Sequence, residues 1–171
     1  MKPSPHLVKI GKWLMRRGRL RIVIADDEEV YFNERMLRVA GNAGYHGIER
    51  TTRVTHEVLA KWLKKPPDIV ILDIRNVCDP DVAKDGVELA RTLLRETNSM
   101  IVITSAHKFH LRKSFPDVDY IIENRHLTSV DFVDELSNIV EKYLTRKTRF
   151  YKHLSFRIGM SLARGALQAA G

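Results

Sequence analysis

Four consecutive apolar residues, IVIL at Ile69–Leu72, constrain the fold of this chain more than any other feature. Successive side chains of a strand point to opposite faces of a sheet, so this strand has to be covered on both faces. Strands of that kind are typical of the middle of a parallel sheet with helices on both sides. The run ends at Asp73, and Arg75 follows two residues later. The sequence therefore predicts a buried strand whose carboxyl end carries charged groups.

Short apolar runs alternate with helical patterns across residues 20–144. In the helical segments, apolar side chains recur at the three- and four-residue spacing of a buried helix face. The predicted strands are LRIVIA, the weaker HGIERT, DIVILDI, MIVITSA and DYIIE. The predicted helices are VYFNERMLRVAGNAG, THEVLAKWLKK, DGVELARTLLRE, the short HKFHLRKSF and a last helix that begins near Thr128. Five strands alternating with five helices predict an open, doubly wound α/β sheet.

The apolar faces of two of these helices are clear from their spacing. The first helix is expected to bury Val30, Met36, Leu37 and Ala40. The last helix is capped by Thr128 or Ser129, and its expected core-facing stripe is Val130, Val133, Leu136, Ile139, Val140, Tyr143 and Leu144.

The cysteine count and the hydropathy pattern exclude several classes of protein. Cys78 is the single cysteine, so neither an internal disulfide nor a two-cysteine zinc site can form, and a reduced, cytoplasmic setting is expected. Lys9 and Lys12 interrupt the apolar residues near the N-terminus, so we do not expect a signal peptide. No run approaches the roughly 18 apolar residues of a membrane span, so no integral membrane segment is expected.

The charges divide the chain into an acidic domain and two basic extensions. Residues 1–21 contain seven Lys or Arg and residues 145–171 contain six, and neither segment contains an acidic residue. The remaining 16 basic and 21 acidic residues give residues 22–144 a net charge of −5. We therefore predict a domain at residues 20–144 between a basic N-terminal extension, residues 1–19, and a basic C-terminal extension, residues 145–171.

Both extensions have an amphipathic helical pattern. In the C-terminal one, Phe150, Leu154, Ile158 and Leu162 recur every four residues. Such a helix either packs on the domain or docks on a partner, an anionic membrane surface or nucleic acid. A homodimer formed through the two extensions is a further hypothesis. We do not expect nucleic-acid recognition, because no helix-turn-helix pattern follows the domain.

Polar side chains follow three of the predicted strands. Asp26 and Asp27 follow RIVIA, Asp73 follows IVIL, and Ser105 follows IVIT. Taken singly, each has an ordinary structural explanation as a helix cap or a strand terminator. In a doubly wound sheet, however, functional groups gather outside the carboxyl ends of the strands. The common placement of these residues therefore predicts a functional site.

Carboxylates brought close together in this way require a counter-charge. Mg²⁺ is the natural one, because it takes a few carboxylates, a carbonyl oxygen and several waters. An ion beside Asp73 would also shield that carboxylate from the negative charge of an incoming phosphoryl group. The implied chemistry is attack of an aspartate on phosphorus, which gives an acyl phosphate.

The chain resembles the receiver domains of two-component response regulators, which have a flavodoxin-like five-stranded parallel sheet. The resemblance covers residues 20–144 and depends on IVIADDEEV, DIVILDI, DGVELA, IVITSAH and DYIIE in that order. It implies that Asp73 is the phosphoacceptor. It implies a Mg²⁺ site made of Asp26, Asp27, Asp73 and the backbone carbonyl of Arg75. It further implies that Ser105 is the switch hydroxyl, Tyr120 the switch aromatic and Gly86 the glycine that begins the third helix.

Three departures from the family accompany these matches. The family's lysine, expected three residues after the aromatic, is replaced by Glu123, or by Asn124 in the alternative register. A glutamate there disfavours a phosphorylated state by repulsion. The segment IRNVCDPDVAKD between Asp73 and Gly86 is longer than is usual, and only fourteen residues separate Ser105 from Tyr120. The acceptor and the metal ligands are thus kept, whereas the coupling to an output surface is altered.

Three functional classes follow. The first is a response regulator receiver, which is not itself an enzyme: it accepts a phosphoryl group on Asp73 from a sensor histidine kinase or a phosphotransfer protein and acts on a downstream protein. The second is an adaptor or scaffold that works without phosphorylation through its basic extensions. The third, a phosphatase of the haloacid dehalogenase type, is disfavoured because Arg75 stands where its second aspartate would have to act as general acid.

Overall fold

The computed structural model describes residues 19–105, 118–123 and 127–147. Five strands form one parallel sheet in the order β2-β1-β3-β4-β5. They are β1 (Ile22–Ala25), β2 (Ile48–Thr51), β3 (Ile69–Leu72), β4 (Met100–Ser105) and β5 (Tyr120–Glu123). This order is that of the flavodoxin-like, doubly wound sheet. The predicted fold class and all five predicted strands are confirmed.

Four helices lie within the described ranges. They are α1 (Glu34–Asn42), α2 (His56–Lys64), α3 (Gly86–Glu96) and α4, which occupies residues 129–147. The helix predicted at HKFHLRKSF lies outside the described residues, as do both extensions apart from Arg19 and residues 145–147. The predicted domain end at residue 144 falls inside α4. None of the described helices is both long and apolar enough to cross a membrane.

Side-chain caps fix where the first three helices begin. Asn33, Thr55 and Asp85 are the N-caps of α1, α2 and α3, and each accepts a hydrogen bond from a main-chain N–H three residues later. These bonds satisfy donors that a helix start leaves unpaired. At α3 a second bond adds to the cap, because Glu88 Oε2 accepts from the N–H of Lys84, the residue before Asp85. The cap at Asp85 thereby fixes the position of α3 behind Asp73.

The sheet is covered on both faces, as the IVIL run predicts. On one face, Ile69 and Ile71 pack with residues of α1 and α4, and Phe32 meets Phe132 edge to face, with 5.3 Å between ring centroids. On the other face, Val70 and Leu72 pack with residues of α2 and α3. Alternate residues of β3 thus belong to different core clusters, which explains why the strand has no polar position.

Two residues predicted to face the core are exposed. Val30 retains 76% of its accessible surface because α1 begins only at Glu34, after a turn, so Val30 is not on the helix. Val130 retains 67% because it lies in the first turn of α4, whereas Phe132, two residues later, is buried. In both segments the apolar residue that enters the core is a phenylalanine rather than the valine that the spacing favours.

Carboxylates at the amino edge of the sheet anchor α4. Asp68, before β3, accepts hydrogen bonds from the hydroxyl of Tyr143 and from Lys147 Nζ, the latter at 3.0 Å. Asp119, before β5, accepts a bond of 2.7 Å from Arg146. These contacts lie at the amino ends of the strands, so the carboxyl edge of the sheet is left to the predicted site.

Candidate functional site

The strand register brings the predicted acidic residues to one edge of the sheet. Ala25 of β1 is paired with Leu72 of β3. The next residues continue the ladder: the N–H of Asp73 donates to the carbonyl of Ala25 at 2.9 Å, and the N–H of Asp26 donates to the carbonyl of Thr51 at 3.1 Å. The main chains of Asp26 and Asp73 are therefore both fixed at the carboxyl edge, on neighbouring strands.

Asp26 is a buried carboxylate that is only half satisfied. Its side chain is 1% exposed; Oδ1 accepts from the N–H of Glu28 at 2.9 Å, and Oδ2 has no hydrogen-bond partner within the described residues. Burial raises the pKa of Asp26 to about 7, and the negative charge of Asp73 adds to the rise. A buried acceptor without a partner is costly, so Oδ2 is suited to a ligand that is not part of the chain.

Asp73 is half-buried beside Asp26. Burial raises the pKa of Asp73, the N–H groups of Arg75 and Ile74 oppose the rise, and Asp27 and Glu28 add negative charge nearby. Asp73 Oδ2 accepts from the N–H of Arg75 at 3.1 Å. The turn that supplies this N–H continues through Asn76, whose φ of 51° lies in the left-handed region. The loop after β3 thus orients the Asp73 carboxylate through its own main chain.

The residues at this edge are suited to Mg²⁺ only if water supplies most of its ligands. No group of three or more His, Cys, Asp or Glu side chains in the described ranges is arranged to hold a metal ion. Mg²⁺ does not need such a cage, because it keeps several waters and is commonly bound by one or two carboxylates. The unpaired Asp26 Oδ2, beside the Asp73 carboxylate, fits that requirement, whereas Asp27 and the Arg75 carbonyl stay predicted ligands.

Gly86 packs against the main chain of the acceptor position. A Cβ atom at Gly86 would lie 2.0 Å from the carbonyl oxygen of Asp73 and 3.1 Å from its carbonyl carbon. The N–H of Gly86 donates to the carbonyl of Ile74 at 2.9 Å. The glycine predicted to begin α3 is therefore required by close contact between the start of the helix and the Asp73 main chain.

The long segment between Asp73 and Gly86 is held against the loop after β2. Cys78 forms an isolated parallel bridge with Val54, the N–H of Val54 donates to the carbonyl of Val77 at 2.7 Å, and Arg53 pairs with Asp79 at 2.5 Å. Val77 is fully buried. The added residues thus extend the core on the α2 and α3 side of the sheet.

Ser105 and Glu123 lie side by side at the ends of β4 and β5, where they form a register pair. Glu123 is exposed. The count from Tyr120 therefore identifies Glu123 rather than Asn124 as the residue opposite Ser105, and Asn124 lies outside the described residues. This end of the sheet carries a carboxylate opposite the predicted switch hydroxyl.

Tyr120, the predicted switch aromatic, is bound to α4. Its hydroxyl donates to Glu135 Oε2 at 2.9 Å, and Lys142 Nζ lies 5.4 Å from the ring centroid. Burial raises the pKa of Tyr120, and the carboxylate of Glu135 raises it further. The side chain is thus fixed by a helix partner in the state that the structure describes.

Replacing Tyr120 with phenylalanine is expected to lower the free energy of unfolding by about 1 kcal/mol, the usual net value of one hydrogen bond. Urea denaturation at pH 7 measures the change. Tyr120→Phe combined with Glu135→Gln is expected to cost little more than Tyr120→Phe alone, because the two side chains form one bond. Additive losses would show that the bond contributes nothing in solution.

Two polar residues at this edge escaped the sequence-based prediction. Arg50, on β2, donates from Nη2 to the main-chain carbonyl of Asp26 at 3.1 Å. Thr104, next to Ser105, is fully buried, and within the described chain its hydroxyl has no hydrogen-bond partner. Neither carries a motif signal, since Arg50 lies in the weakest strand pattern and Thr104 reads as part of an apolar strand. Only the register of the sheet identifies them.

No protein-family model and no curated protein matches the chain. Several solved structures, however, are similar to it. One is a two-component transcriptional regulator AraC from Clostridium phytofermentans, with 18% identity, a TM-score of 0.54, and coverage of 76% of this chain and 98% of the other. Another is the chemotaxis response regulator CheY4 of Vibrio cholerae, with 16% identity, a TM-score of 0.52, and coverage of 70% and 98%. The response regulator domain of Thermotoga maritima CheB has 14% identity, a TM-score of 0.53, and coverage of 74% and 96%. The chain therefore has the fold of a response regulator receiver domain.

Proposed function

We propose that this protein is a signal transduction receiver that accepts a phosphoryl group on Asp73. One observation carries the proposal: Asp73 lies at the carboxyl edge of the sheet beside Asp26, a buried carboxylate with an unpaired oxygen. Two such groups side by side are unfavourable without a cation or a proton. Packing alone does not explain why Asp26 and Asp73 lie together at the edge where α/β sheets bind ligands.

The reaction requires a nucleophile and a counter-charge. One carboxylate oxygen of Asp73 bonds to phosphorus, while the bond from phosphorus to the donor breaks and its electron pair leaves with the donor. The donor atom is an imidazole nitrogen of a histidine kinase or phosphotransfer protein, or an oxygen of the acetate in acetyl phosphate. Bound Mg²⁺ would neutralise the developing negative charge. The N–H of Arg75 orients the Asp73 carboxylate during the attack.

The test is labelling with acetyl phosphate and Mg²⁺, followed by intact-mass measurement. The wild type is expected to gain one phosphoryl group, and Asp73→Asn none. Asp119→Asn is a suitable control, because Asp119 lies at the opposite edge of the sheet, and it is expected to be labelled like the wild type. A wild type that is not labelled at any Mg²⁺ concentration, or labelling that persists in Asp73→Asn, would reject the proposal.

Glu123→Lys is expected to raise the fraction of labelled protein at a given time roughly tenfold. The substitution replaces an anion opposite Ser105 by a cation, and a cation there stabilises the negative phosphoryl oxygens. Glu123→Gln removes the anion without adding a cation and should give an intermediate increase. The time course of the mass adduct measures both variants. If neither variant differs from the wild type, Glu123 does not act on the phosphorylated state.

An adaptor that works without phosphorylation is the second candidate function. The position of Glu123 favours it, because a carboxylate opposite Ser105 repels a phosphoryl group at this edge. The bond from Tyr120 to Glu135 also favours it, since that bond has to break before the ring can move. A pull-down of partner proteins with and without acetyl phosphate separates the two functions. An adaptor keeps the same protein contacts in Asp73→Asn, whereas a phosphate-dependent receiver loses the binding that acetyl phosphate changes in the wild type.

A further inference from the structure

Arg50 is a largely buried cation next to the acidic edge. Its side chain is 15% exposed, and it lies in β2 directly beside Ile24 of β1, two residues before Asp26. Burying an arginine in this way is costly unless opposite charges and hydrogen bonds compensate. The groups that contact the guanidinium therefore indicate which charges Arg50 compensates.

The guanidinium faces acidic residues of the loop after β1. Nη2 donates to the carbonyl of Asp26 at 3.1 Å, and Nη1 lies 3.8 Å from Glu29 Oε1. The contact with Glu29 is weak, because the side chain of Glu29 is 83% exposed. No carboxylate is thus engaged in a close, buried pair with Arg50 in the described chain, and its positive charge acts on Asp26, where it opposes the rise in the pKa that burial causes.

Besides the hydroxyl of Thr104, two polar atoms of charged side chains at this edge are buried without a hydrogen-bond partner among the described residues. They are Nε of the cation Arg50 and Oδ2 of the carboxylate Asp26. A structural arginine would be expected to use its planar fork on one carboxylate, with two parallel bonds. Arg50 instead holds the main chain of Asp26 and leaves the carboxylate oxygen open. This arrangement lowers the net negative charge of the edge without blocking the site.

We propose that Arg50 is a built-in counter-charge of the acidic edge and lowers its affinity for divalent cations. The proposal deepens the proposed function, because it concerns the same Asp26, Asp27 and Asp73 site. A fixed positive charge beside the carboxylates stabilises them when no ion is present and repels an arriving cation. Arg50 thus sets how much Mg²⁺ the site requires, from the β2 side of the sheet, whereas Glu123 changes the charge on the β5 side.

The test is the affinity for Mn²⁺ and Mg²⁺, measured by electron paramagnetic resonance of free Mn²⁺ and by Mg²⁺ competition at pH 8.5. Arg50→Gln and Arg50→Met are expected to bind about tenfold more tightly than the wild type, because one fixed charge is removed. Arg50→Lys keeps the charge and is expected to stay within about threefold of the wild type. The gain in Arg50→Gln should shrink as salt is raised, which a merely structural effect would not do.

Arg53→Gln is the matched control, because Arg53 is an exposed arginine of the same segment that pairs with Asp79. It is expected to bind like the wild type, and circular dichroism confirms that each variant is folded. Equal affinity in Arg50→Gln and the wild type would overturn the proposal, and so would tight binding in Arg50→Lys. If the wild type binds no ion but Arg50→Gln does, the Mg²⁺ part of the proposed function fails while the role of Arg50 is upheld. If none of the variants binds, both fail.

Discussion

Gly86→Ala is expected to destabilise the protein by about 3 kcal/mol or more, and to abolish labelling of Asp73 in any fraction that folds. The added Cβ would lie 2.0 Å from the carbonyl oxygen of Asp73. Neither atom can move away alone, since the oxygen belongs to the main chain after β3 and the Cβ to the first residue of α3. Urea denaturation measures the loss of stability.

Gly41→Ala is the matched control for this prediction. Gly41 lies inside α1, and no heavy atom lies within 4 Å of the position that its Cβ would occupy. Alanine is favoured over glycine in a helix, so this variant should gain about 0.5 to 1 kcal/mol. Similar stability of the two variants would show that the start of α3 does not approach Asp73 in solution as closely as described.

The second large effect is expected for Asp26→Asn, which should stabilise the metal-free protein above pH 7. Burial raises the pKa of Asp26 from 3.8 to about 7, so folding favours the protonated form. The stability linked to this group is fully present below pH 3.8 and is lost as the pH rises to about 7. At 1.36 kcal/mol per pKa unit, the full penalty is on the order of 4 kcal/mol, and an amide of the same shape should recover much of it.

Urea denaturation in EDTA at pH 5 and pH 8.5 measures this effect. The advantage of Asp26→Asn over the wild type should be larger at pH 8.5 than at pH 5. Saturating Mg²⁺ should reduce the advantage, because an ion stabilises only the wild-type carboxylate. An unchanged difference at the two pH values would contradict the link between the burial of Asp26 and its ionisation.

Asp68→Asn gives the opposite sign and serves as the control. Although burial opposes the shift, hydrogen bonds from Tyr143, Arg21 and Lys147 lower the pKa of Asp68. Its stabilising effect is therefore present above the ordinary carboxyl pKa and is lost as the pH falls through the lowered value. Asp68→Asn should thus be less stable than the wild type at pH 7, and the deficit should shrink in acid. Asp26 and Asp68 lie at opposite edges of one sheet, and ionisation is expected to lower the stability of the protein at Asp26 and to raise it at Asp68.

Much of the fold could be predicted because the apolar pattern and the required burial coincide. The IVIL run has no polar position, and each of its residues is buried in one of two core clusters. Prediction failed at Val30, which precedes the true start of α1, and at Val130, which lies in the exposed first turn of α4. A periodic pattern does not specify its own first turn, whereas the caps and the packing of Phe32 against Phe132 do.

Only some features of the candidate site could likewise be predicted from the sequence. The order of polar residues along the chain predicted that Asp26, Asp73 and Ser105 follow strands, because acidic and hydroxyl groups end apolar runs. The roles assigned to them through the family resemblance stay predictions. The sequence could not show that Tyr120 is bonded to Glu135, since the two lie fifteen positions apart and Glu135 forms no part of a motif.

The sequence by itself determined the alternation of buried strands and amphipathic helices, the acidic groups at the strand ends and the absence of a lysine at Glu123. These are local properties, set by the type and spacing of the residues. Only the tertiary structure decided that Arg50 lies against Asp26, that Gly86 lies against Asp73 and that Glu123 lies opposite Ser105. Each depends on which strands are neighbours and in what register, and distant parts of the chain settle that together through the burial of one shared core.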